Sequence, residues 1–466
     1  MGLNAPLGKE IIMNYKLLML FLAELTPIII SEKDVASQLT SELINMACIR
    51  FDGIVPYINL GTHWQKIARK ELPSLIRNVI SPAYRAKVKS NHITEAIKRL
   101  TDDIQLKLNI SDAFWKQQHL LNFRNGVLNI RNCSFTADRS KCIFDYVIDA
   151  NFIPNCTEKD APNFERLIDS SAGSENKECI LRSTGYAISS LTDAKSAIFV
   201  TGPSNGGKST YLRVVASAVS PELVSNVSFS QMTDPHYTMQ YLGKRMNISY
   251  DNSAKPVDHE DIFKSITSCE EITGRELYES PVKFIPTLKL IYASNFSFNF
   301  KHPDEALFKR MIIIPFEHSV PPEKQDKQLY DKLMKERDVI FSLAAKSLRS
   351  LIESGYDFKM SDKGKDYLAN RIAMIHSAED FLDDRTVCSE NGSVPSAILF
   401  SHYEEWCKDN ALKPIPRPEF MEHVLAYSPK IVRKKIGPRE KRVWGFKGLR
   451  LKTVNELKAN FSEKEK

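Results

Sequence analysis

The sequence predicts a multidomain α/β protein with a mixed, mainly helical N-terminal region, a phosphate-loop α/β core and a small basic C-terminal unit. Three observations lead there. The 466 residues are about three times the ~150 of an ordinary domain. Between Asn163 and Phe316, short apolar runs are separated by helical and polar stretches, the rhythm of a sheet whose strands are joined by helices. The first of those runs leads straight into a glycine-rich loop and a helical segment.

Composition narrows the class. Hydrophobic residues at 42% and charged residues at 26% match globular usage and argue against disorder or a fibre. A net charge of +7 fits a mixed solvated surface as well as a polyanionic partner, so its distribution matters more than its size. The eight cysteines include no CxxC pair and no zinc spacing with histidine, which predicts free thiols in a reducing interior. The apolar stretch Leu17–Ala23 is followed by Glu24 and Pro27. It is shorter than the ~20 residues of a membrane span and lacks a small-residue cleavage site. The sequence therefore predicts a core helix there, no membrane partner and a cytoplasmic protein.

In chain order, residues 1–162 form the mainly helical region. Ser31, followed by Glu32, Lys33 and Asp34, fits a capping box that opens a helix, and Asn125–Ile130 reads as a turn and strand. No catalytic constellation falls in this region. Residues 163–321 form the core, with strands expected at Ala197–Thr201, Met246–Tyr250, Leu288–Ala293 and Met311–Pro315. A charged helical linker is expected over 322–383, a small domain over 384–454 and a flexible tail over 455–466.

The chemistry concentrates in Gly202-Pro203-Ser204-Asn205-Gly206-Gly207-Lys208-Ser209-Thr210, placed after an apolar strand and before the helical run Tyr211–Ala218. Glycines let backbone N–H groups wrap phosphates and the helix start adds its dipole. Lys208 reaches the β and γ phosphates of ATP, and the Ser209 hydroxyl suits Mg²⁺. Hydrolysis also needs an acid and a group that stabilises charge on the γ-phosphate. Asp251 closes the second strand and suits the metal and the attacking water. Asn295 closes the third and suits a polar sensor, or equally a turn. Arg310, or Lys309 beside it, precedes the fourth strand and suits an arginine finger reaching across a subunit interface.

Leu242-Gly243-Lys244-Arg245, Asp251, Ile272-Thr273-Gly274-Arg275-Glu276-Leu277-Tyr278, Phe284-Ile285-Pro286-Thr287, Leu290, Asn295 and Asp304–Arg310 with Pro315-Phe316 together resemble the phage/plasmid primase-helicase family of superfamily 3. Leu121–Leu128 resembles that family's helicase-associated N-terminal domain. Phe400–Tyr403, Trp406-Cys407, Phe420 and Gly445–Leu449 resemble its C-terminal winged helix. The resemblance implies an AAA+ core assembled as a homo-hexamer that hydrolyses ATP with Mg²⁺ between subunits and moves 3′ to 5′ on single-stranded DNA. It makes Lys208 and Ser209 the loop anchors, Asp251 the acid, Asn295 the sensor and Arg310 the trans-acting finger. It places the protein in the replication of a phage, plasmid or similar element, in the cytoplasm of a bacterial host. Relatives commonly carry glutamate where this chain has Asp251, and Gly-Asp where it has Cys269-Glu270. With one short carboxylate serving both metal and water, slow turnover is expected.

Two segments are candidates for DNA. Gly274–Lys283 can form a hairpin that offers Arg275 and Lys283 to phosphates and Tyr278 to a base face, or an ordinary solvated hairpin; the resemblance favours the first. In the C-terminal unit, Lys430, Arg433, Lys434, Lys435, Arg439, Lys441, Arg442, Lys447, Arg450 and Lys452 are interleaved with Trp444 and Phe446, and Gly437-Pro438 supplies a turn. This fits a wing that binds duplex or forked DNA, and equally a solvated face. No segment carries the carboxylate pattern of a primase or a zinc site, so a separate primase or polymerase is the expected partner. Two rival functions are a self-loading origin initiator and an ATP-binding DNA scaffold or defence protein with little turnover.

Overall fold

The computed structural model describes residues 27–456 apart from 32, 253–256, 276–279, 296–297, 299, 301–303, 322, 324, 439–441 and 454. The stretch Leu17–Ala23, Glu32 and the tail from 457 onward lie outside the described residues. The chain forms two compact units, one of Met1–Asn299 with Ile314–Ser361, the other of Phe300–Ile313 with Asp362–Lys466. The helical stretch expected over 322–383 is therefore shared between the units.

In the first unit, helix α1 (Val35–Asn45) is opened by Asp34, whose carboxylate accepts from Ser37 N at 3.1 Å and Ser37 Oγ at 2.6 Å. The cap expected at Ser31 is thus corrected. A capping oxygen must stand at the residue just before the helix, and the Ser31 amide instead donates to Gln38 Oε1 at 2.9 Å. Strands β1 (Ile49–Asp52), β2 (Val55–Asn59) and β3 (Trp64–Lys66) form an antiparallel meander. Helices α2 (Leu72–Val79), α3 (Ser90–Asp102) and α4 (Ile110–Lys116) follow. Ile93, Ala96, Ile97 and Leu100 of α3 recur at helical spacing and are buried in a core shared with Leu39 and Leu43 of α1. The predicted turn and strand is the hairpin of β4 (Leu120–Phe123) and β5 (Gly126–Asn129), with β6 (Phe135–Thr136) beside β5.

Helices α5 (Pro162–Leu167) and α6 (Lys177–Ile188) lead into the main sheet. Its strands and their crossovers are β7 (Ala197–Thr201), α7 (Lys208–Ala216), β8 (Val224–Ser225), α8 (Pro235–Thr238), β9 (Met246–Ser249), α9 (Glu260–Thr267), the hairpin β10 (Ile272–Gly274) and β11 (Val282–Phe284), and β12 (Lys289–Ser294). Helix α10 (Glu305–Phe308), in the second unit, precedes β13 (Met311–Pro315). The strand order is β13-β7-β12-β9-β8, and β7–β12, β12–β9 and β9–β8 are parallel. All four predicted core strands are present to within a residue. Every residue of β9, β12 and β13 is buried, as expected of strands covered on both faces.

Helices α11 (Leu329–Lys335) and α12 (Arg337–Glu353) complete the first unit, with α12 packed on α6. Gly185 makes that packing possible, because a Cβ there would lie 2.3 Å from Ala344 O. In the second unit, α13 (Asp362–Arg385), β14 (Thr386–Pro395), α14 (Ser396–Asp409), α15 (Arg417–Tyr427), β15 (Val432–Ile436) and β16 (Val443–Leu451) enclose a core in which Tyr403 and Phe420 stack at 4.3 Å. Its antiparallel sheet runs β14-β16-β15. No described helix is long and apolar enough to cross a membrane.

Candidate functional site: a phosphate loop at the sheet edge

Strand order assembles the site. Because β12 lies between β7 and β9, the carboxyl ends of the three strands sit side by side, where open α/β sheets bind ligands. Thr201 is level with Ser294, so the next residues, Gly202 and Asn295, meet. Ser249 is level with Tyr292, so Asp251, two residues further on, comes level with Ser294.

The loop leaves β7 at Gly202, where φ is 141° and a Cβ would lie 1.8 Å from Phe316 O. Only glycine tolerates that approach. Gly207 caps α7 at φ 82° and would otherwise collide with Ser171 Oγ and Leu167 Cδ1 at 2.8 and 2.9 Å. The helix therefore starts at Lys208, three residues earlier than its apolar pattern suggests, because the last loop glycine already supplies the cap.

Lys208 is buried, and its ammonium donates to Gly202 O at 2.8 Å, Pro203 O at 2.6 Å and Asn295 Oδ1 at 2.8 Å. Three acceptors match its three protons. Asn295 Nδ2 in turn donates to Ser204 Oγ at 2.9 Å. Burial pushes the Lys208 pKa below its ordinary value, and the Asp251 charge opposes that shift. Asp251 itself is exposed. Its neighbour Asn252 is fully buried and accepts from Phe229 N at 2.7 Å, donates to Ala293 O at 2.8 Å and takes the Ser294 hydroxyl on its carbonyl at 2.8 Å. Asn252 thereby locks the chain after β9 to the end of β12 and sets where Asp251 stands. Sequence reading missed this role, because a buried asparagine in a brace and one in a turn look alike.

Beside the loop lies a cavity of about 400 Å³ lined by Asn205, Gly206, Gly207, Lys208, Ser209 and Thr210. Its other walls are Arg166, Leu167, Ser170 and Ser171 from α5 and the turn after it, and Val320, Gln325, Asp326 and Leu329 from the segment after β13. None of these wall residues was foreseen. The segment after β13 is fastened to the loop by Phe316 N to Thr201 O at 2.7 Å, Ser319 Oγ to Ser204 O at 3.0 Å and Val320 N to Asn205 O at 3.1 Å. The Asp326 carboxyl is held below its usual range by the Lys332 ammonium, 2.6 Å away, and then by the Gln328 amide.

Exposed Ser209 brings a hydroxyl to the cavity, whereas Asp251 is not among its lining residues and reaches the site through its charge on Lys208. The described residues hold no cluster of three or more His, Cys, Asp or Glu suited to a metal. A hydroxyl and a carboxylate are both oxygen donors of the kind Mg²⁺ accepts, an ion that takes one or two protein oxygens and completes its shell with water and phosphate. Arg310 follows α10 in the second unit and is half-buried, while the exposed Lys309 pairs with Glu305 at 3.0 Å.

The expected hairpin is present as β10 and β11, with Ile272 opposite Phe284 and Gly274 opposite Val282. Arg275 is exposed at the loop end of the hairpin, just after β10, and exposed Lys283 pairs with Glu271 at 3.1 Å. Tyr278 lies outside the described residues. In the second unit, β15 and β16 pair Arg433 with Phe446, Lys434 with Gly445 and Lys435 with Trp444. Alternation places Arg433 and Lys435 on one face and Lys434 on the other. The Arg433 guanidinium and Lys435 ammonium lie 5.5 and 5.9 Å from the Trp444 ring centre, and that ring is 53% exposed.

Residues 45–171 match the family model described as "D5 N terminal like", and residues 200–310 match a family of unknown function, DUF5906. Among solved structures, the chain is similar to an apo structure of the NrS-1 C-terminal region (305–718) at 13% identity and a TM-score of 0.49, covering 89% of this chain and 99% of that one. An A-form apo structure of the same region gives 11% identity and a TM-score of 0.49, covering 88% and 98%.

Proposed function

We propose that this chain is an ATP-driven DNA motor of the superfamily 3 helicase type, serving the replication of a phage, plasmid or similar element. The observation that carries the reading is the three-acceptor cradle of Lys208 beside the cavity, closed by Asn295 from the neighbouring strand. The D5-like match over residues 45–171 supports the replication setting.

In this reading the loop amides and the start of α7 bind the phosphates of ATP. Lys208 exchanges neutral carbonyl acceptors for phosphate oxygens, a charge-assisted and stronger set of bonds. Asn295, already bonded to both Lys208 and Ser204, orients the attacking water, and Asp251 draws its proton. Mg²⁺, held by Ser209 and Asp251, would neutralise charge on the bound phosphates. Arg310 reaches the γ-phosphate of a neighbouring copy in a hexameric AAA+ ring. The β10–β11 hairpin, with Arg275 and Lys283, contacts the translocating strand. The second unit acts as a winged helix whose Arg433, Lys434, Lys435 and Trp444 hold DNA.

DNA-stimulated ATPase and unwinding of a 3′-tailed fork test this in wild type, Lys208→Ala and Arg310→Ala, with oligomer mass measured in ATP. Loss of unwinding in both variants, with rings still forming from Arg310→Ala, is the expected result. DNA binding by wild type without turnover would instead favour a scaffold.

A further inference from the structure

Two short helices contribute to the cavity walls outside the phosphate loop, α5 through Arg166 and Leu167 and α11 through Leu329 at its start. One side chain ties these helices together. Glu336, between α11 and α12, is 8% exposed. Its carboxylate accepts from Asn163 N at 3.0 and 3.1 Å, from Phe164 N at 2.9 Å and from Asn163 Nδ2 at 2.5 Å.

The need for that carboxylate is written into α5. Pro162, its first residue, has no N–H, and Ala161 before it has no oxygen with which to cap. The donors of the first turn must still be met, and they are met from 172 residues away. The next two residues extend the same seam. Arg337 donates to Asp149 at 2.6 Å, and Asp338 accepts from Asn151 N at 3.0 Å and Asn151 Nδ2 at 2.9 Å. Only Glu336 of the three reaches α5 itself.

We propose that Glu336 is a positioning residue for nucleotide recognition. By capping α5 from the end of α11, it fixes Leu167 against Leu329 and so sets affinity for the nucleoside part of the ligand. Leu167 also meets the phosphate loop at Gly207, but the loop is anchored on its other side by Gly202, Asn295 and Phe316, so phosphate binding depends on the cap far less than nucleoside binding does. This role rests on the nucleotide-binding reading. Removing the carboxylate leaves buried donors unmet, a change that costs on the order of tenfold in an equilibrium that depends on their placement.

The test is calorimetric titration of ATP and of inorganic tripolyphosphate, which engages the phosphate loop alone, into wild type, Glu336→Ala, Glu336→Gln and Asp149→Asn, with thermal melts of each. Glu336→Ala should weaken ATP about tenfold and leave tripolyphosphate within about twofold. Glu336→Gln, which keeps one acceptor and loses the charge, should weaken ATP about threefold, and it decides the matter if the alanine variant does not fold. Asp149→Asn cuts the neighbouring contact and should lower the melting temperature without changing the ratio of the two affinities. Equal losses for both ligands, or a wild-type ratio in both Glu336 variants, overturn the positioning role and leave nucleotide binding standing. A wild type that binds neither ligand overturns nucleotide binding, and the role of Glu336 with it.

Discussion

In the sheet-centred unit Lys208, Arg245 and Lys289 are buried and paired, whereas on the C-terminal hairpin Arg433, Lys434 and Lys435 are exposed. Arg245 donates to Ser190 Oγ at 2.7 Å and lies 3.8 Å from the Tyr146 ring centre. Lys289 donates to Leu191 O and lies 4.4 Å from the Tyr186 ring centre. Each buried cation has one geometry, fixed by acceptors that would be costly to leave unmet. The exposed ones ride on an edge strand of the three-stranded sheet, beside a half-exposed tryptophan, with their charges open to solvent. A fixed cation suits one ligand atom in one place. An exposed one suits a polyanion that must be gripped and released at any sequence.

The largest expected effect probes the buried set. Lys208→Ala should lower the steady-state kcat for DNA-stimulated ATP hydrolysis by about 10²–10³-fold, the usual loss when a preorganised charge partner is removed. Unchanged hydrolysis would mean that the buried ammonium serves the loop and not the ligand.

Next comes a buried cation away from the cavity. Burial pushes the Lys289 ammonium from 10.5 down to about 7. A lysine whose pKa falls on folding takes up its proton more readily when unfolded, so stability present above 10.5 is lost as pH falls and is gone below about 7. Wild type should therefore gain up to about 2 kcal/mol between pH 7.5 and 9.5 in urea melts, relative to Lys289→Met. Parallel pH profiles for the two proteins would show that Lys289 carries no such penalty.

On the exposed side, Trp444→Ala should weaken single-stranded DNA binding by roughly tenfold, the scale of one lost base stack, as read by fluorescence anisotropy. The smallest effect belongs to Lys434→Ala, which should reduce the slope of log affinity against log salt by about one while leaving sequence preference unchanged. If the tryptophan change alters only the salt slope, the hairpin grips phosphates and not bases.

The same contrast explains what was legible in the sequence. The phosphate loop is contiguous, and its glycines, lysine and flanking strand were all readable, as were the four buried strands. The hairpins at Asn125–Ile130 and around Gly437-Pro438 were foreseen from their turns, whereas the antiparallel β1–β2–β3 meander was not. The strand order was not, because β12 enters between β7 and β9 through contacts no local pattern encodes. Asn252 and Glu336 escaped for a related reason: each acts by bonding to segments far along the chain, and nothing nearby distinguishes it from a solvated residue. Asp34 was passed over for Ser31 because two capping residues lay within one turn, and packing chose between them.

The insertion of β12 has a consequence for how the chain is made. Lys208 precedes its Asn295 acceptor by 87 residues, so at ~5–20 residues per second of synthesis the lysine emerges roughly four to seventeen seconds before the strand that completes its cradle. Once β9 is complete at Ser249, β7 and β9 are both present while the slot between them is empty, and direct pairing of the two would seal β12 out. An intact loop therefore requires β7 and β9 to stay apart until the strand that separates them arrives.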